Sequence, residues 1–365
     1  MEGEIQSFIK VWITAISCLC YCYYIASRIP KGFFRFLSLL PIFYLFLILP
    51  LNLSSIHLVG PTTFFLVWLS TFKLLLFSFN QGPLSLSSYP NIFYFISIAS
   101  LPIIPKHHPT SKDSKLTKNN TNPPHQSIPN IEKSKKGNVF PSLLLFPKIV
   151  IAAMIVCAYD YRENLHPHLI LVLYCCHVYL GIELVLALCA APARAMFGFE
   201  IEPQFNEPYL STSLQDFWGR RWNLMVTNIL RPTVYDPIRR ITTYYVGPMF
   251  GNSTAMLATF LVSGLMHEVI YYYLARAPPT WEVTWFFVLH GVCTASEVVV
   301  KKVLFRRGWW LPRAMSVMLT LMFLAVTGQW LFFPQLLRNG VDRKAIAEYA
   351  IMVDFVKSKL PISIF

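Results

Sequence analysis

Apolar segments of membrane-spanning length recur along the whole chain, and they constrain its fold more than any other feature. A helix of about 20 residues, rising about 1.5 Å per residue, crosses the roughly 30 Å hydrocarbon core of a bilayer. With 55% hydrophobic and 13% charged residues, the chain is too apolar for an ordinary soluble protein of 365 residues. The pattern predicts an all-α, polytopic transmembrane bundle of about eight spans, with re-entrant and interfacial helices between them.

The predicted spans cover residues 11–26, 36–51, 60–79, 142–159, 169–191, 254–275, 281–300 and 314–333. Asn91–Ile104 makes only about 21 Å of helix and is closed by prolines, so we expect a re-entrant or interfacial piece there. Beyond Arg338, an apolar face predicts an amphipathic surface helix; its members are Ala345, Tyr349, Met352 and Val356.

Composition divides the chain into three parts. Residues 1–104 are predicted to form N-terminal transmembrane helices, and residues 141–365 the functional core. Between them, residues 105–140 contain seven lysines against Asp113 and Glu132 and are rich in Asn, Pro, Ser and Thr. Such a segment buries little apolar surface, so it is predicted to be a disordered cytosolic linker.

The net charge of +13 lies largely in the short connections between apolar segments. Positive-inside topology explains this distribution, so nucleic acid is not an expected partner. Acidic Glu2 and Glu4 precede the first span and basic residues follow it, which predicts a lumenal N-terminus. The eight cysteines form no C-x-x-C pair, and the histidines are spread over separate spans, so we expect neither a disulfide framework nor a metal site.

Residues 213–223 are dense in aromatics and arginine. Ser213 and Asp216 have the spacing of a helix cap. The pattern predicts an interfacial helix with an apolar stripe of Leu214, Trp218, Trp222, Met225 and Ile229, and a polar stripe of Asp216, Arg220, Asn223 and Thr227. One interpretation is a plain anchor whose arginines bind lipid phosphates. The other is that Asn223 and an arginine face a reactant with an anionic group.

His267 lies well inside the apolar segment 254–275. An ionisable group at that depth is a functional candidate by default, and it continues a polar track of Thr259, Ser263, His267 and Tyr271. Apolar surroundings favour the neutral imidazole, which can accept a proton. Alternatively, the ring hydrogen-bonds Ser263 or a neighbouring helix and only holds the bundle together.

Other polar groups within the spans compete with His267. His290 can approach it, because a short turn pairs their helices. His290, like His177 and Glu183 in an earlier span, is more readily interpreted as structural. Glu268 points about 100° away from His267 and is a poor candidate for orienting that ring.

These residues carry a family resemblance. Gly60-Pro61-Thr62, Glu202 to Pro208, Phe217 to Asn223 and Ser263 to Glu268 resemble motifs of the plant wax synthase family. Its members are long-chain-alcohol O-fatty-acyltransferases of the membrane-bound O-acyltransferase superfamily, and the likeness covers nearly the whole chain except the linker.

The resemblance implies that His267 is the catalytic base and that Asn223 is its polar partner. Acyl-CoA would enter from the cytosol as co-substrate, without a further cofactor, and the hydroxyl acceptor would arrive from the bilayer. The predicted substrate-binding residues are Phe217, Trp218, Arg220, Arg221, Trp222, Ser263 and His290.

The sequence hypothesis is thus an enzyme of the endoplasmic reticulum that transfers a fatty acyl group to a long-chain alcohol, giving a wax ester. A sterol or diacylglycerol acceptor stays open, as does a second mechanism through an acyl-Ser263 intermediate. The rival from another class is a transporter or lipid-binding scaffold, with His177, Glu183, His267 and His290 along its pathway.

Overall fold

A computed structural model describes residues 2–85, 91–103, 141–197, 203–306 and 311–359. The predicted linker at 105–140 lies outside these residues. Within them the regular structure is entirely helical, as expected where backbone groups must be satisfied without water.

The N-terminal part contains the helices α1 Glu2–Tyr24, α2 Phe33–Ile48, α3 Ile56–Thr63, α4 Thr71–Ser78 and α5 Ile92–Ser100. Between α3 and α4 the backbone continues as a π-helix over Phe64–Ser70, so Ile56–Ser78 is one span.

The remainder contains α6 Pro141–Ala158, α7 Pro167–Phe197, α8 Leu214–Asp216, α9 Leu224–Leu230, α10 Asp236–Val246, α11 Pro248–Ala275, α12 Glu282–Arg306, α13 Arg313–Thr327, α14 Pro334–Arg338 and α15 Val341–Lys359. Further π-helical segments lie at Phe217–Arg221, Arg231–Tyr235 and Gly328–Phe332. The predicted C-terminal amphipathic helix is α15.

Seven helical stretches of the described chain are long and apolar enough to cross a membrane. They are Glu2–Arg28, Phe33–Asn52, Ile56–Ser78, Pro167–Ala193, Pro248–Ala275, Glu282–Lys301 and Arg313–Phe332. The apolar helix α6 adds 18 residues, about 27 Å at 1.5 Å per residue. The predicted all-α polytopic membrane bundle is confirmed, and the chain is an integral membrane protein.

The short helix α5 ends inside the protein against α4. Fully buried Lys73 donates hydrogen bonds of 2.6 Å to the carbonyl oxygens of Ile98 and Leu101, and Ser70 donates to that of Ala99 at 2.9 Å. A helix end has unpaired carbonyls that must be satisfied when buried. This cap explains how a helix too short to span can end within the bundle.

The helices α11 and α12 approach each other closely through two glycines. A Cβ on Gly264 would lie 3.0 Å from Thr284 Cα and 3.3 Å from Phe287 Cβ, and one on Gly291 would lie 3.0 Å from Phe260 Cβ. Small residues let helix backbones approach within a membrane. Here the approach brings Phe287 of α12 onto His267 of α11.

Candidate active site

His267 lies on α11, and one of its two ring nitrogens is hydrogen-bonded to the main chain. Its Nδ1 is 2.8 Å from the carbonyl oxygen of Ser263, one turn earlier. Since a carbonyl oxygen only accepts, Nδ1 carries the proton, and the neutral ring has a free lone pair on Nε2. The side chain of His267 is partly exposed, so this nitrogen is a candidate proton acceptor.

Three aromatic rings surround the imidazole, each from a different span. The ring centroids of Trp68, Phe287 and Phe332 lie 5.2, 4.3 and 5.9 Å from that of His267. Trp68 and Phe332 both belong to π-helical segments, which occur frequently at functional sites. The surroundings are therefore apolar and built from distant parts of the chain.

Tyr271, the next member of the polar track on α11, holds one of these rings in place. Its hydroxyl donates to the carbonyl oxygen of Phe332 at 2.8 Å, and the two rings are in contact at 5.7 Å. Tyr271 is only 3% exposed. It links the helix of His267 to the π-helical end of the last span.

Ser263 is buried, and it is its main-chain carbonyl that bonds to the imidazole. Among the described residues its hydroxyl makes no hydrogen bond with His267. The geometry therefore gives no direct support to proton transfer from a Ser263 nucleophile, whereas it does orient His267 for a proton from elsewhere.

The prediction of one continuous interfacial helix through residues 213–229 is wrong. The Ser213 cap is confirmed, because its hydroxyl accepts from the Asp216 amide at 3.0 Å. However, α8 passes at once into the π-helical turn Phe217–Arg221, and Trp222 is extended. Asn223 is left-handed with φ 39° and begins α9. The two predicted stripes are thus divided between two short helices.

The physical reason for the break lies in contacts with residues 203–207. The Leu224 amide donates to the Gln204 carbonyl at 2.8 Å, and the Asn206 amide to that of Arg221 at 2.9 Å. Arg221 also pairs with Asp216 at 2.7 Å and donates to the Asn206 carbonyl at 3.1 Å. Such pairing cannot coexist with intrahelical bonds at the same backbone groups.

These contacts separate the roles of the two neighbouring arginines. Arg221 is occupied in closing the loop, and it also donates to the Glu207 carbonyl at 3.2 Å. Arg220 is exposed and has no hydrogen bond or ion pair within the described part of the chain. Of the two, Arg220 is the one whose guanidinium is available to an anionic ligand.

The aromatic residues of the motif pack mainly on one another. Phe217 and Trp222 stack with centroids 5.3 Å apart and planes at 18°, and Trp222 meets Phe205 edge-on at 5.1 Å. Phe217 is buried. Many of the aromatic residues of the motif therefore stabilise the local fold of the motif itself.

Trp218 connects the motif to His290 and toward His267. Its indole N–H donates to His290 Nδ1 at 3.1 Å, which leaves His290 Nε2 protonated to donate to the Thr327 hydroxyl at 2.9 Å. The Trp218 ring also lies 5.6 Å from Phe287, the ring that covers His267. One phenyl ring thus separates the motif from the imidazole.

Asn223 has a structural task of its own. Its Oδ1 caps α9 by accepting from the Val226 amide at 3.4 Å, and asparagine tolerates the left-handed backbone there. The helix it begins buries Met225 and Ile229 against the π-helical segment of Trp68. No hydrogen bond joins Asn223 to His267 among the described residues, so the predicted pairing stays a prediction.

His177 and Glu183 have partners that suit structural roles. His177 lies between the hydroxyls of Tyr159, at 2.9 Å, and Tyr349, at 2.7 Å. Glu183 pairs with Lys148. Across the described residues no group of three or more His, Cys, Asp or Glu has the arrangement of a metal site.

Sequence reasoning did not single out Trp68, Phe287 or Phe332. Each lies in an apolar run where one aromatic residue resembles the next, and they meet only through long-range packing. The available signal was Tyr271, whose four-residue spacing from His267 marks the same helix face.

The all-α membrane fold and the histidine within one of its spans agree with a comparison with known proteins. Residues 201–289 match the membrane bound O-acyl transferase family, and the chain belongs to that family. This range contains both the 213–223 motif and His267.

Three relatives match almost end to end. The long-chain-alcohol O-fatty-acyltransferase of Simmondsia chinensis is 48% identical, covering 99% of this chain and 98% of its own. The probable long-chain-alcohol O-fatty-acyltransferase 1 of Arabidopsis thaliana is 45% identical over 98% of both chains. Acyl-CoA–sterol O-acyltransferase 1 of the same plant is 43% identical, covering 98% and 99%. The resemblance inferred from the motifs is confirmed.

Proposed function

We propose that this protein transfers a fatty acyl group from acyl-CoA to the hydroxyl of a long-chain alcohol, forming a wax ester, with His267 as the general base. The observation that carries the proposal is the orientation of His267. The Ser263 carbonyl binds Nδ1, so Nε2 is free to take a proton inside an aromatic, apolar enclosure. The names of the 48% and 45% identical relatives favour a fatty alcohol as acceptor.

In this mechanism Nε2 of His267 takes the hydroxyl proton as the alcohol oxygen attacks the thioester carbonyl carbon. The tetrahedral intermediate collapses, the C–S bond breaks, and the CoA thiolate takes a proton from His267. No acyl-enzyme is required. Direct transfer agrees better with the hydrogen bond from His267 to the Ser263 main chain than a serine nucleophile does.

The motif is proposed to serve the donor side. Exposed Arg220 is suited to the CoA phosphates, while Arg221, Phe217 and Trp222 keep the loop in shape. Asn223 uses Oδ1 to cap α9, which leaves its amide N–H₂ to donate to the thioester or to CoA.

A sterol is the alternative acceptor, because a 43% identical relative bears the name acyl-CoA–sterol O-acyltransferase. Diacylglycerol is a third possibility within the same chemistry. A transporter or scaffold is disfavoured because His177, Glu183 and His290 each have protein partners among the described residues. We place the enzyme in the endoplasmic reticulum, with acyl-CoA supplied from the cytosol.

The test is an acyl-transfer assay in microsomes from a host that lacks the activity, with labelled acyl-CoA and fatty alcohol, sterol or diacylglycerol. We expect wax ester from wild type and at least a 10²-fold loss with His267→Ala. His166→Ala, at an exposed histidine in a connecting loop, is the matched control. Absence of ester with every acceptor would refute the function, and an active His267→Ala would refute the base.

A further inference from the structure

Trp68 has a buried hydrogen-bond donor for which the described part of the chain offers no partner. The side chain is 2% exposed, and its indole N–H finds no acceptor among the described residues. A buried N–H left unpaired costs about 1–3 kcal/mol, and such groups in native proteins call for an explanation. A bound ligand that supplies the acceptor is one explanation.

The position of Trp68 beside His267 indicates which ligand supplies this acceptor. Its ring is nearly perpendicular to the His267 imidazole, at 82°, with centroids 5.2 Å apart. The two rings are thus direct neighbours, and a substrate that reaches His267 enters the same apolar enclosure as the indole. Within the described residues, no polar side chain is hydrogen-bonded to the indole in its place.

The proposed reaction creates a hydrogen-bond acceptor within this enclosure. As the alcohol oxygen bonds to the thioester carbon and its proton passes to His267, the carbonyl π pair moves onto the carbonyl oxygen. This oxyanion persists until the C–S bond breaks, the C=O bond reforms and the CoA thiolate takes the proton. A fixed donor about 2.7–3.1 Å from the developing oxyanion lowers the barrier.

Resting on the function proposed above, we propose that the indole N–H of Trp68 is a catalytic donor that stabilises the oxyanion of the thioester carbonyl. In this proposal the π-helical segment Phe64–Ser70, which contains Trp68, positions the indole for this role. Phe65 and Leu69 of this segment pack with Met225 and Ile229 of α9, so the helix that follows the motif supports the donor.

The chain offers a matched control in Trp12 on α1. Its indole N–H is also buried and has no acceptor in the described ranges of the chain. Within those ranges its ring contacts Phe8 and Phe65 and not His267. Trp68→Phe and Trp12→Phe therefore make the same chemical change, one beside the base and the other away from it.

The experiment measures kcat and KM for acyl-CoA with purified wild type, Trp68→Phe and Trp12→Phe in lipid nanodiscs. We expect Trp68→Phe to lower kcat about 10²–10³-fold with KM within threefold, and Trp12→Phe to stay near wild type. Replacing Trp68 by benzothienylalanine, which keeps the ring shape and has sulfur in place of N–H, should reproduce the loss even if Trp68→Phe does not fold.

Full activity of the benzothienylalanine variant would overturn the proposal and would assign the N–H to a contact with the Phe64 ring, 5.6 Å away at 83°. A loss confined to KM would overturn it too, because an oxyanion donor acts in the transition state. Failure of the enzyme hypothesis is distinguishable, since wild type would then form no ester.

Discussion

At the scale of single residues, two histidines in adjacent helices show how hydrogen-bond partners decide what an imidazole can do. His267 has its Nδ1 on a main-chain carbonyl and a free Nε2. His290 is fully buried, and both of its nitrogens are bonded, to Trp218 and to Thr327. His290 therefore has no nitrogen left for a substrate, and its predicted role in substrate binding stays a prediction that these contacts do not support.

This contrast predicts opposite phenotypes. His290→Phe removes the acceptor of the Trp218 indole N–H and one donor to the Thr327 hydroxyl, which keeps its bond to the Phe323 carbonyl. The change should cost on the order of 2 kcal/mol of stability. His267→Phe should abolish activity with a smaller loss of stability. Thermal unfolding followed by size-exclusion chromatography in detergent, together with the transfer assay, measures both.

The conservative variant His290→Asn offers both an acceptor and a donor and should recover part of the lost stability. Equal thermal midpoints for His290→Phe and wild type would contradict the structural role of the Trp218–His290–Thr327 chain.

At the scale of elements, the sequence predicts spans well and their interruptions poorly. Apolar length predicts the long helices. Within the proline-closed segment 91–104, the described helix α5 has only nine residues, in agreement with the prediction of a segment too short to span. The break at Trp222–Asn223 was missed because periodicity assumes regular backbone, whereas pairing with Gln204 and Asn206 overrides it. The π-helical segments that carry Trp68 and Phe332 have no local signature, since they depend on packing between spans.

One element whose role emerges only from the structure is α15, which caps α3. The Glu348 carboxylate accepts from the Ser55 hydroxyl and the Ile56 amide at 2.8 Å each, and from the His57 ring at 2.8 Å and amide at 3.2 Å. A carboxylate at a helix N-terminus satisfies orphan amides and meets the positive end of the dipole. Since α3 leads directly into the segment of Trp68, α15 supports the site from a distance.

This cap predicts a pH dependence. Burial alone would raise the pKa of Glu348, but hydrogen bonds from His57, Ile56 and Ser55 lower it from 4.5 to about 2. A lowered folded-state pKa means that the stabilisation is complete above about pH 4.5 and is lost as the pH falls toward 2.

We therefore expect the thermal midpoint of wild type to fall between about pH 4.5 and 2 more steeply than that of Glu348→Gln. At neutral pH, Glu348→Gln should be the less stable of the two. Asp354→Asn, at an exposed carboxylate on the same helix, is the control and should behave as wild type. Parallel curves for wild type and Glu348→Gln would show that Glu348 does not titrate in this window.

At the scale of the whole molecule, polar contacts join the connections between spans into two groups, which lie at opposite ends of the spans. One group joins the N-terminus, the 49–57 connection and α15: Glu4 accepts from the Ser54 and Ser55 amides at 2.7 and 2.8 Å, and Lys344 donates to the Ser54 carbonyl at 2.7 Å. The other group joins α8 to the far end of α12, where the Gln215 amide donates to Glu297 at 3.3 Å. Spans that alternate in direction require this separation.

These contacts predict that both ends of the chain lie on the same side of the membrane. Glu4 and Glu348 both accept hydrogen bonds from Ser55, which requires an even number of crossings between the start of α1 and α15. The seven spans identified by length and composition give an even number only if α6 crosses as well. Acidic residues before the first span and basic residues after it predict that this side faces the lumen. Glycosylation-acceptor tags fused separately to the two termini should therefore both be modified in microsomes, and a tag placed between Arg28 and Phe33 should not.

Modification of one terminal tag alone would mean that α6 does not cross the membrane. Modification of neither terminal tag, with the loop tag modified, would invert the predicted orientation while preserving the fold.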